Sequence, residues 1–249
     1  MRHPRFPIPA LFLLGLFSSL VSACGTSDQR SEAPSDQRPE GPPVQIDHVI
    51  VAAADLQTGM DQFEALTGVR PAFGGEHPGR GTRNALVSLG PRLYLELLAP
   101  QEDAELPEDV AGLSDLPGLS AWGWAASTAD MDGTLSQIRD GGYTAPPPEP
   151  GSRAMPDGRL LRWRAGGAEE PVILGAPFFI EWDPGSPHPA TTSPQGCELG
   201  VLKVISPDAE ELRSYVDLLG LAVEVEATAD AVERYEVTLR CPAGNVVFR

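Results

Sequence analysis

The chain has 249 residues, including 26 glycines, 26 prolines, 18 basic and 35 acidic side chains. This length allows one large domain or two small ones, and a hydrophobic content of 41% is sufficient to build a core. A net charge of −17 would repel a phosphate backbone and argues against nucleic-acid binding. No apolar stretch is as long as a transmembrane helix.

Residues 1–23 are typical of a secretory signal peptide. A short basic region with Arg2 and Arg5 precedes an apolar run over residues 10–21, which is too short to serve as a membrane anchor. The end of this run, Val21-Ser22-Ala23-Cys24, resembles the lipobox of bacterial lipoproteins. That resemblance implies that Cys24 is lipidated and becomes the mature N-terminus. An ordinary cleaved signal with a chance cysteine is the alternative.

Residues 24–43 are polar and rich in Ser, Asp, Gln, Gly and Pro, which predicts a disordered tether. Together with lipidation of Cys24, this segment predicts an exported protein anchored in the bacterial cell envelope, at the outer membrane or the periplasmic face. The two remaining cysteines are Cys197 and Cys241. An oxidising compartment would allow them to form a disulfide, and two buried free thiols are the alternative.

Three stretches of the remaining chain share one order of elements: a strand, a helix and then two or three short strands. Their helices begin near Asp55, Asp130 and Asp208, which are spaced 75 and 78 residues apart. The leading strands are predicted over 46–53, 121–126 and 199–205, and the following strands over 83–89, 92–98, 160–164, 177–182, 221–226, 235–240 and 246–249. Each helix can cover one face of its own sheet, so two facing sheets would enclose a cavity in an α+β fold.

This βαβββ repeat resembles the vicinal oxygen chelate superfamily, which includes glyoxalase I, bleomycin-resistance proteins and extradiol dioxygenases. Within it, the run Gly-Gly-Glu-His-Pro-Gly-Arg-Gly-Thr-Arg-Asn-Ala-Leu over 74–86 resembles the glyoxalase-like domain family, as do segments 94–100, 161–163 and 177–182. The resemblance implies two modules paired around a cavity over residues 44–190. A third module is predicted over 197–249, packed beside the first two or paired with the same module of another chain in a homodimer.

Strand alternation brings together two candidate metal ligands. In the strand 46–53, His48 faces away from Asp47, and in the strand 92–98, Tyr94 and Glu96 face away from three leucines suited to a helix. His48 and Glu96 are therefore predicted to share the concave, helix-free face of one sheet. The superfamily resemblance implies that they bind a divalent metal such as Zn, Ni, Fe, Mn or Mg. A metal-free polar pair in a ligand pocket is the alternative.

The second module supplies one carboxylate, Glu181, which we match to Glu96 of the first module. A glycine, Gly123, occupies the position that corresponds to His48. We therefore predict a site with three metal ligands, His48, Glu96 and Glu181, in which the two carboxylates are also the catalytic groups. The alternative for Glu181 is a carboxylate at the rim, paired with an arginine of the strand 160–164.

The glycine-rich loop 77–81, which precedes the strand 83–89, and the strands that follow it supply residues suited to bind a substrate. His77, Arg80, Asn84 and Tyr94 are predicted to contact it, with a guanidinium holding an anionic group. An ordinary surface loop is the alternative. His188, between two prolines, is a weaker candidate for a further metal ligand.

The first functional hypothesis is a metal-dependent lyase, isomerase or dioxygenase that acts on a small oxygen-bearing substrate. The alternative is a protein that binds or sequesters a small molecule without converting it, as bleomycin-resistance proteins do. An envelope scaffold with a vestigial cavity is a third hypothesis.

Overall fold

A computed structural model describes residues 44–249. The predicted signal peptide over 1–23, the lipidation site Cys24 and the predicted tether over 24–43 lie outside the described residues. Among residues 44–249, no helix combines the length and the apolar character needed to cross a membrane.

The described chain repeats the order strand, helix, three strands three times. The first repeat contains β1 (Val44–Ala52), α1 (Leu56–Thr67), β2 (Ala72–His77), β3 (Thr82–Gly90) and β4 (Leu93–Pro100). The second contains β5 (Ser120–Thr128), α2 (Met131–Asp140), β6 (Glu149–Ala154), β7 (Leu160–Gly166) and β8 (Phe178–Trp182). The third contains β9 (Glu198–Ser206), α3 (Ala209–Leu218), β10 (Glu224–Ala227), β11 (Arg234–Cys241) and β12 (Gly244–Phe248). The predicted α+β class with repeated βαβββ modules is confirmed.

Aspartates begin the first two helices as the sequence pattern suggests. The Asp55 carboxylate accepts a hydrogen bond from Thr58 N at 2.8 Å, and the Asp130 carboxylate accepts one from Gly133 N at 2.9 Å. Asp208 makes no such side-chain bond to α3. Helix α1 ends at Gly68, whose φ of 76° lies in the left-handed region that glycine adopts readily.

The first two repeats form one sheet of eight strands in the order β2-β3-β4-β1-β5-β8-β7-β6. In each of these two repeats the first strand pairs with the last in parallel, as β1 with β4 and β5 with β8. Strands β1 and β5 pair antiparallel at the centre of the sheet. The sheet curls until its edge strands β2 and β6 approach each other, where Arg153 Nη1 donates to the carbonyl oxygen of Gly74. A Cβ on Gly75 would overlap the carbonyl oxygen of Ala154, so this closure requires glycine.

The sequence pattern did not predict either edge strand. Both strands contain residues that are rare in strands, two glycines in β2 and Pro150 and Gly151 in β6. Proline and glycine are tolerated at these positions because a strand at the edge of a sheet pairs on one side only.

The third repeat has the same order of elements but a different strand pairing. Its sheet has the order β10-β9-β11-β12, so β9 pairs with the two strands that follow α3, and β12 lies at the edge. As one of the two expectations had it, the third repeat packs beside the first two repeats of the same chain: the Phe248 ring stacks on Phe63 at 5.7 Å between centroids, and the Tyr215 ring meets Tyr143 edge-on at 5.1 Å. A disulfide joins Cys197 to Cys241.

Two apolar layers cover the curled sheet. Helix-side residues such as Leu95, Leu97 and Phe179 belong to the main core. On the concave side, a short 3₁₀ helix, Glu108–Asp115, buries Leu113 against Ile50 and Leu98 of the sheet. A second 3₁₀ helix, Pro189–Thr191, lies against β3 and β4. The two 3₁₀ helices therefore narrow the cavity on the concave side of the sheet, and the polar side chains in that cavity are largely buried.

Candidate functional site

Strands β1 to β4 bring a group of polar side chains together on the concave face. Nε2 of His48 lies 3.6 Å from Oε2 of Glu96, and Nε2 of His77 lies 3.6 Å from Oε1 of the same carboxylate. The Asn84 amide donates a hydrogen bond of 2.6 Å to Oε1 of Glu96. Placement of His48 and Glu96 on one face follows the sequence prediction, and His77 and Asn84 join them. We call His48, His77, Asn84 and Glu96 the polar cluster.

Asp47 adjoins the polar cluster, although strand alternation placed it on the opposite face. A β-bulge between Ile46 and His48 leaves Asp47 as the extra residue of β1, which turns its side chain toward His48. Oδ1 of Asp47 lies 2.8 Å from Nδ1 of His48. The expectation that Asp47 faces away from His48 is therefore wrong. Its position directly before the apolar and buried part of β1 was a usable signal, because a buried carboxylate requires partners.

The Asp47 carboxylate is fully buried and has three hydrogen-bond partners. Besides His48, it accepts bonds from Nε2 of His188 and from Nε1 of Trp182, both at 3.1 Å. Burial alone would raise the pKa of Asp47, but the hydrogen bonds from His188 and His48 outweigh burial and hold that pKa well below its usual value. His188 is therefore a partner of Asp47, and it is not placed as a ligand beside Glu96.

His77 is oriented at both ring nitrogens. Nδ1 lies 2.9 Å from the Thr82 hydroxyl oxygen, and Nε2 lies 3.1 Å from the Asn84 amide nitrogen. Burial lowers the pKa of His77, although the charge of Glu96 acts in the opposite direction. Arg80 lies in the exposed turn that connects β2 to β3, where its backbone N–H donates to the carbonyl oxygen of His77 at 3.1 Å.

The pKa of Glu96 is lowered despite the burial of this carboxyl group. Burial would raise the pKa of this carboxyl, but the charges of His77 and His48 and the hydrogen bond from Asn84 lower it below its ordinary value. A buried arginine of β6, Arg153, adds a weaker contribution of the same sign. Sequence reasoning missed Arg153, because only the closure of the sheet brings β6 near β2.

Tyr94 forms one wall of the polar cluster. Its ring stacks on His48 at 4.6 Å between centroids and meets the His188 ring edge-on at 5.7 Å. Burial and the negative charges of Asp47 and Glu96 raise the pKa of Tyr94 well above its usual value. The phenol therefore stays neutral and can donate a hydrogen bond, and its contact with a substrate stays a prediction.

The structure does not bring Glu181 into the polar cluster. Oε2 of Glu181 lies 2.6 Å from the Arg164 guanidinium, and Oε1 accepts a hydrogen bond from Met131 N at the start of α2. Glu181 thus faces α2, and the predicted placement beside His48 and Glu96 is wrong. The alternative of a carboxylate paired with an arginine describes its position.

The register of β8 explains this error. Glu96 pairs with Ile50 of β1, and the corresponding pairing in the second repeat joins Ala125 of β5 to Phe178 of β8. Phe178 is therefore the counterpart of Glu96, and its ring lies 5.6 Å from the His48 ring. The second repeat supplies an apolar ring where a second carboxylate was expected.

Donor chemistry decides whether the polar cluster suits a metal. Among the residues from 44 to 249, no set of three or more His, Cys, Asp or Glu side chains is already arranged to hold a metal ion. The donors of His48, His77 and Glu96 nevertheless match a centre of two imidazoles and one carboxylate, with each Nδ1 engaged elsewhere. Their spacing of 3.6 Å is close to the roughly 3.3 Å between ligands of a tetrahedral zinc ion. By donor type, His48, His77 and Glu96 would suit a divalent cation.

Comparisons with known proteins agree with this fold. A family model described as "Glyoxalase-like domain" matches residues 46–220. A hypothetical protein from Staphylococcus aureus is 13% identical, with 83% of this chain and 99% of that chain covered and a TM-score of 0.59, which shows a shared fold. No curated protein matches the sequence.

Two solved enzyme structures have higher sequence identity but lower TM-scores. Methylmalonyl-CoA epimerase from Mycobacterium tuberculosis is 19% identical, with 56% of this chain and 87% of that chain covered and a TM-score of 0.39. A mutant of 4-hydroxymandelate synthase from Streptomyces coelicolor is 15% identical, with 83% of this chain and 62% of that chain covered and a TM-score of 0.44.

Proposed function

Because the chain belongs to the glyoxalase-like domain family, we propose that it is a metal-dependent enzyme of the isomerase or lyase type that acts on a small oxygen-bearing substrate. His48, His77 and Glu96 would hold the divalent cation. One observation carries this proposal: the Nε2 atoms of two imidazoles face the two oxygens of one buried carboxylate. Outside the cluster, each Nδ1 already has a partner, Asp47 or Thr82.

The side chains around the cation site support such a role. A bound divalent cation would stabilise negative charge that develops on a substrate oxygen. With a cation bound, Asp47 would accept the Nδ1 proton of His48 and so leave the lone pair of Nε2 free to ligate the metal beside Glu96. The lowered pKa of Glu96 keeps this carboxylate ionised at neutral pH, as both ligation and proton acceptance require. Asn84 holds Oε1, which leaves Oε2 to accept a proton from the substrate.

Substrate access is proposed on the side of the polar cluster where exposed groups lie. Phe178 is 39% exposed although its ring contacts the buried His48, so it supplies an apolar wall at the opening. The side chain of His77 is 18% exposed, and Arg80 in the adjacent turn provides positive charge. These features favour a small substrate with an anionic group.

A second candidate function is binding of a small molecule without catalysis. It is favoured by the second repeat, in which Gly123 and Phe178 stand at the positions of His48 and Glu96. The same polar cluster would then recognise a ligand through hydrogen bonds from Asn84 and the imidazoles.

We also propose export and anchoring in the bacterial cell envelope through a lipid on Cys24. The disulfide between Cys197 and Cys241 supports an oxidising compartment, because such bonds are rare in a reducing cytosol.

Elemental analysis of the purified full chain after loading with Zn, Ni, Fe, Mn or Mg tests the metal proposal. We expect one equivalent of a divalent metal in the wild type and in the control variant Glu181→Gln. Stoichiometric metal should be lost in His48→Ala, His77→Gln and Glu96→Gln. A wild-type chain that binds none of these metals but still binds a small molecule would overturn the enzyme proposal in favour of the second function. Full metal content in His77→Gln would refute its role as third ligand.

A further inference from the structure

A cleft of about 780 Å³ lies away from the polar cluster, along strands β7 and β8. Trp163, Trp182, Arg92, Arg162 and Arg164 are among its lining residues, and none of the four residues of the polar cluster lines it. We call this feature the tryptophan cleft. Its volume lies in the range of sites that bind small molecules.

Two partly exposed indole rings form the walls of the tryptophan cleft, with centroids 5.5 Å apart and planes inclined by 60°. Trp163 lies against the backbone of β6, where a Cβ on Gly151 would overlap its indole ring. Trp182 is held from inside, because its N–H donates to Asp47 at 3.1 Å. Both rings are therefore fixed in position before any ligand arrives, which lowers the entropic cost of stacking on them.

The charges of the tryptophan cleft favour an anion. Arg164 is neutralised by Glu181 and by Asp132, at 2.6 and 3.0 Å. The exposed side chains of Arg92 and Arg162 form no ion pair or hydrogen bond with the part of the chain that the structure describes. Glu181, Asp183 and Asp132 together balance the three lining arginines, but Asp132 and Glu181 are both engaged by Arg164. The guanidinium groups of Arg92 and Arg162 therefore remain beside the two aromatic surfaces, where an anion can pair with them.

We propose that the tryptophan cleft is a second binding site, which takes a planar aromatic carboxylate. Its ring would stack on one indole and meet the other, which is inclined by 60°, with its edge. Its carboxylate would accept a forked pair of hydrogen bonds from Arg162, with Arg92 adding positive charge to the same cleft. This site is independent of the metal proposed at the polar cluster. Trp182 connects the two sites only through Asp47, since its ring lines the cleft while its N–H bonds to Asp47, which in turn contacts His48.

Titration of the full chain with 2-naphthoate, followed through the four tryptophan indole N–H signals in nuclear magnetic resonance spectra, tests this proposal. We expect saturable shifts at Trp163 and Trp182 and none at the buried Trp124. The neutral analogue 2-naphthamide should bind at least tenfold more weakly, because it lacks the charge that the arginines recognise.

Variants locate the site. Trp163→Leu and Arg162→Gln should each weaken 2-naphthoate at least fivefold, whereas the control Arg159→Gln on the exposed β6–β7 turn should leave the dissociation constant within twofold. Glu96→Gln alters the polar cluster and should also leave it within twofold. Shifts without saturation, equal affinity for the amide, or unchanged affinity in Arg162→Gln would each overturn the proposal. A loss of binding in Glu96→Gln would place the probe in the polar cluster instead, and would refute the cleft as its site.

Discussion

Replacement of Asp47 by asparagine tests whether this buried carboxylate sets the tautomer of His48. Trp182 Nε1 can only donate, and His188 donates through Nε2 because its Nδ1 accepts a hydrogen bond from Ala190 N at 3.2 Å. Both therefore require an acceptor, and the single carbonyl oxygen of asparagine must face them. Its amide group would then donate to Nδ1 of His48, which forces the imidazole proton onto Nε2, toward Glu96.

The structure sets the expected magnitudes. Three hydrogen bonds to a charged carboxylate become neutral, and each loses about 1 kcal/mol, since bonds to charged groups contribute about 1.5–3 kcal/mol and neutral ones about 0.5–1.5 kcal/mol. We expect Asp47→Asn to lower the free energy of unfolding by about 3 kcal/mol. Metal affinity at His48 should fall by about 10–100-fold, as for other partners that orient a ligating imidazole.

Urea denaturation at pH 7, calorimetric titration with Zn²⁺ and nitrogen-15 spectra of His48 measure these effects. The control Asp157→Asn removes a carboxylate from an exposed turn and should change the free energy of unfolding by less than about 1 kcal/mol. A loss below about 1 kcal/mol in Asp47→Asn, with His48 still protonated at Nδ1, would refute the reasoning.

Further predictions concern the disulfide, the sheet closure, acid stability and the second carboxylate. Replacement of Cys197 and Cys241 by serine should cost about 4 kcal/mol in urea denaturation, because their separation of 44 residues closes a long loop; an unchanged midpoint would contradict this. Gly75→Ala should cost about 2 kcal/mol, since a Cβ there meets β6, and a stable variant would argue against closure. Burial lowers the pKa of His77 in the folded chain, so the free energy of unfolding should fall as pH drops below about 6.5; His77→Gln should flatten this slope, and an identical slope would refute it. Glu181→Gln should cost less than about 1 kcal/mol, because its ion pair is partly exposed; loss of bound metal would reinstate it as a ligand.

Alternation along single strands was enough to place the central pair of the polar cluster. In β4, Leu95 and Leu97 pack into the helix-side core, which leaves Glu96 on the concave face as predicted. In β1, Val49 and Val51 pack into the helix-side core, so His48 and Ile50 lie on the concave face. Such inferences succeed because neighbouring residues of a strand alternate by geometry alone.

Residues that depend on the pairing between strands were not predictable in this way. The bulge in β1 reverses the expected side of Asp47, and the register of β8 puts Phe178 rather than Glu181 opposite the position of Glu96. A shift of one residue in pairing exchanges the two faces of a strand. The sequence of one strand does not specify which residue of the neighbouring strand each of its residues will pair with.

By itself, the amino-acid sequence determined the leading strand and the helix of each repeat, the aspartates that begin α1 and α2, and the face of β4 that carries Glu96. These features depend on residues within a few positions of one another. Only the tertiary structure decided that His188 reaches Asp47 across 141 positions of the chain and that Arg153 closes the sheet near Gly74. The physical reason is that these contacts depend on the curl of the whole eight-stranded sheet, to which every strand pair contributes.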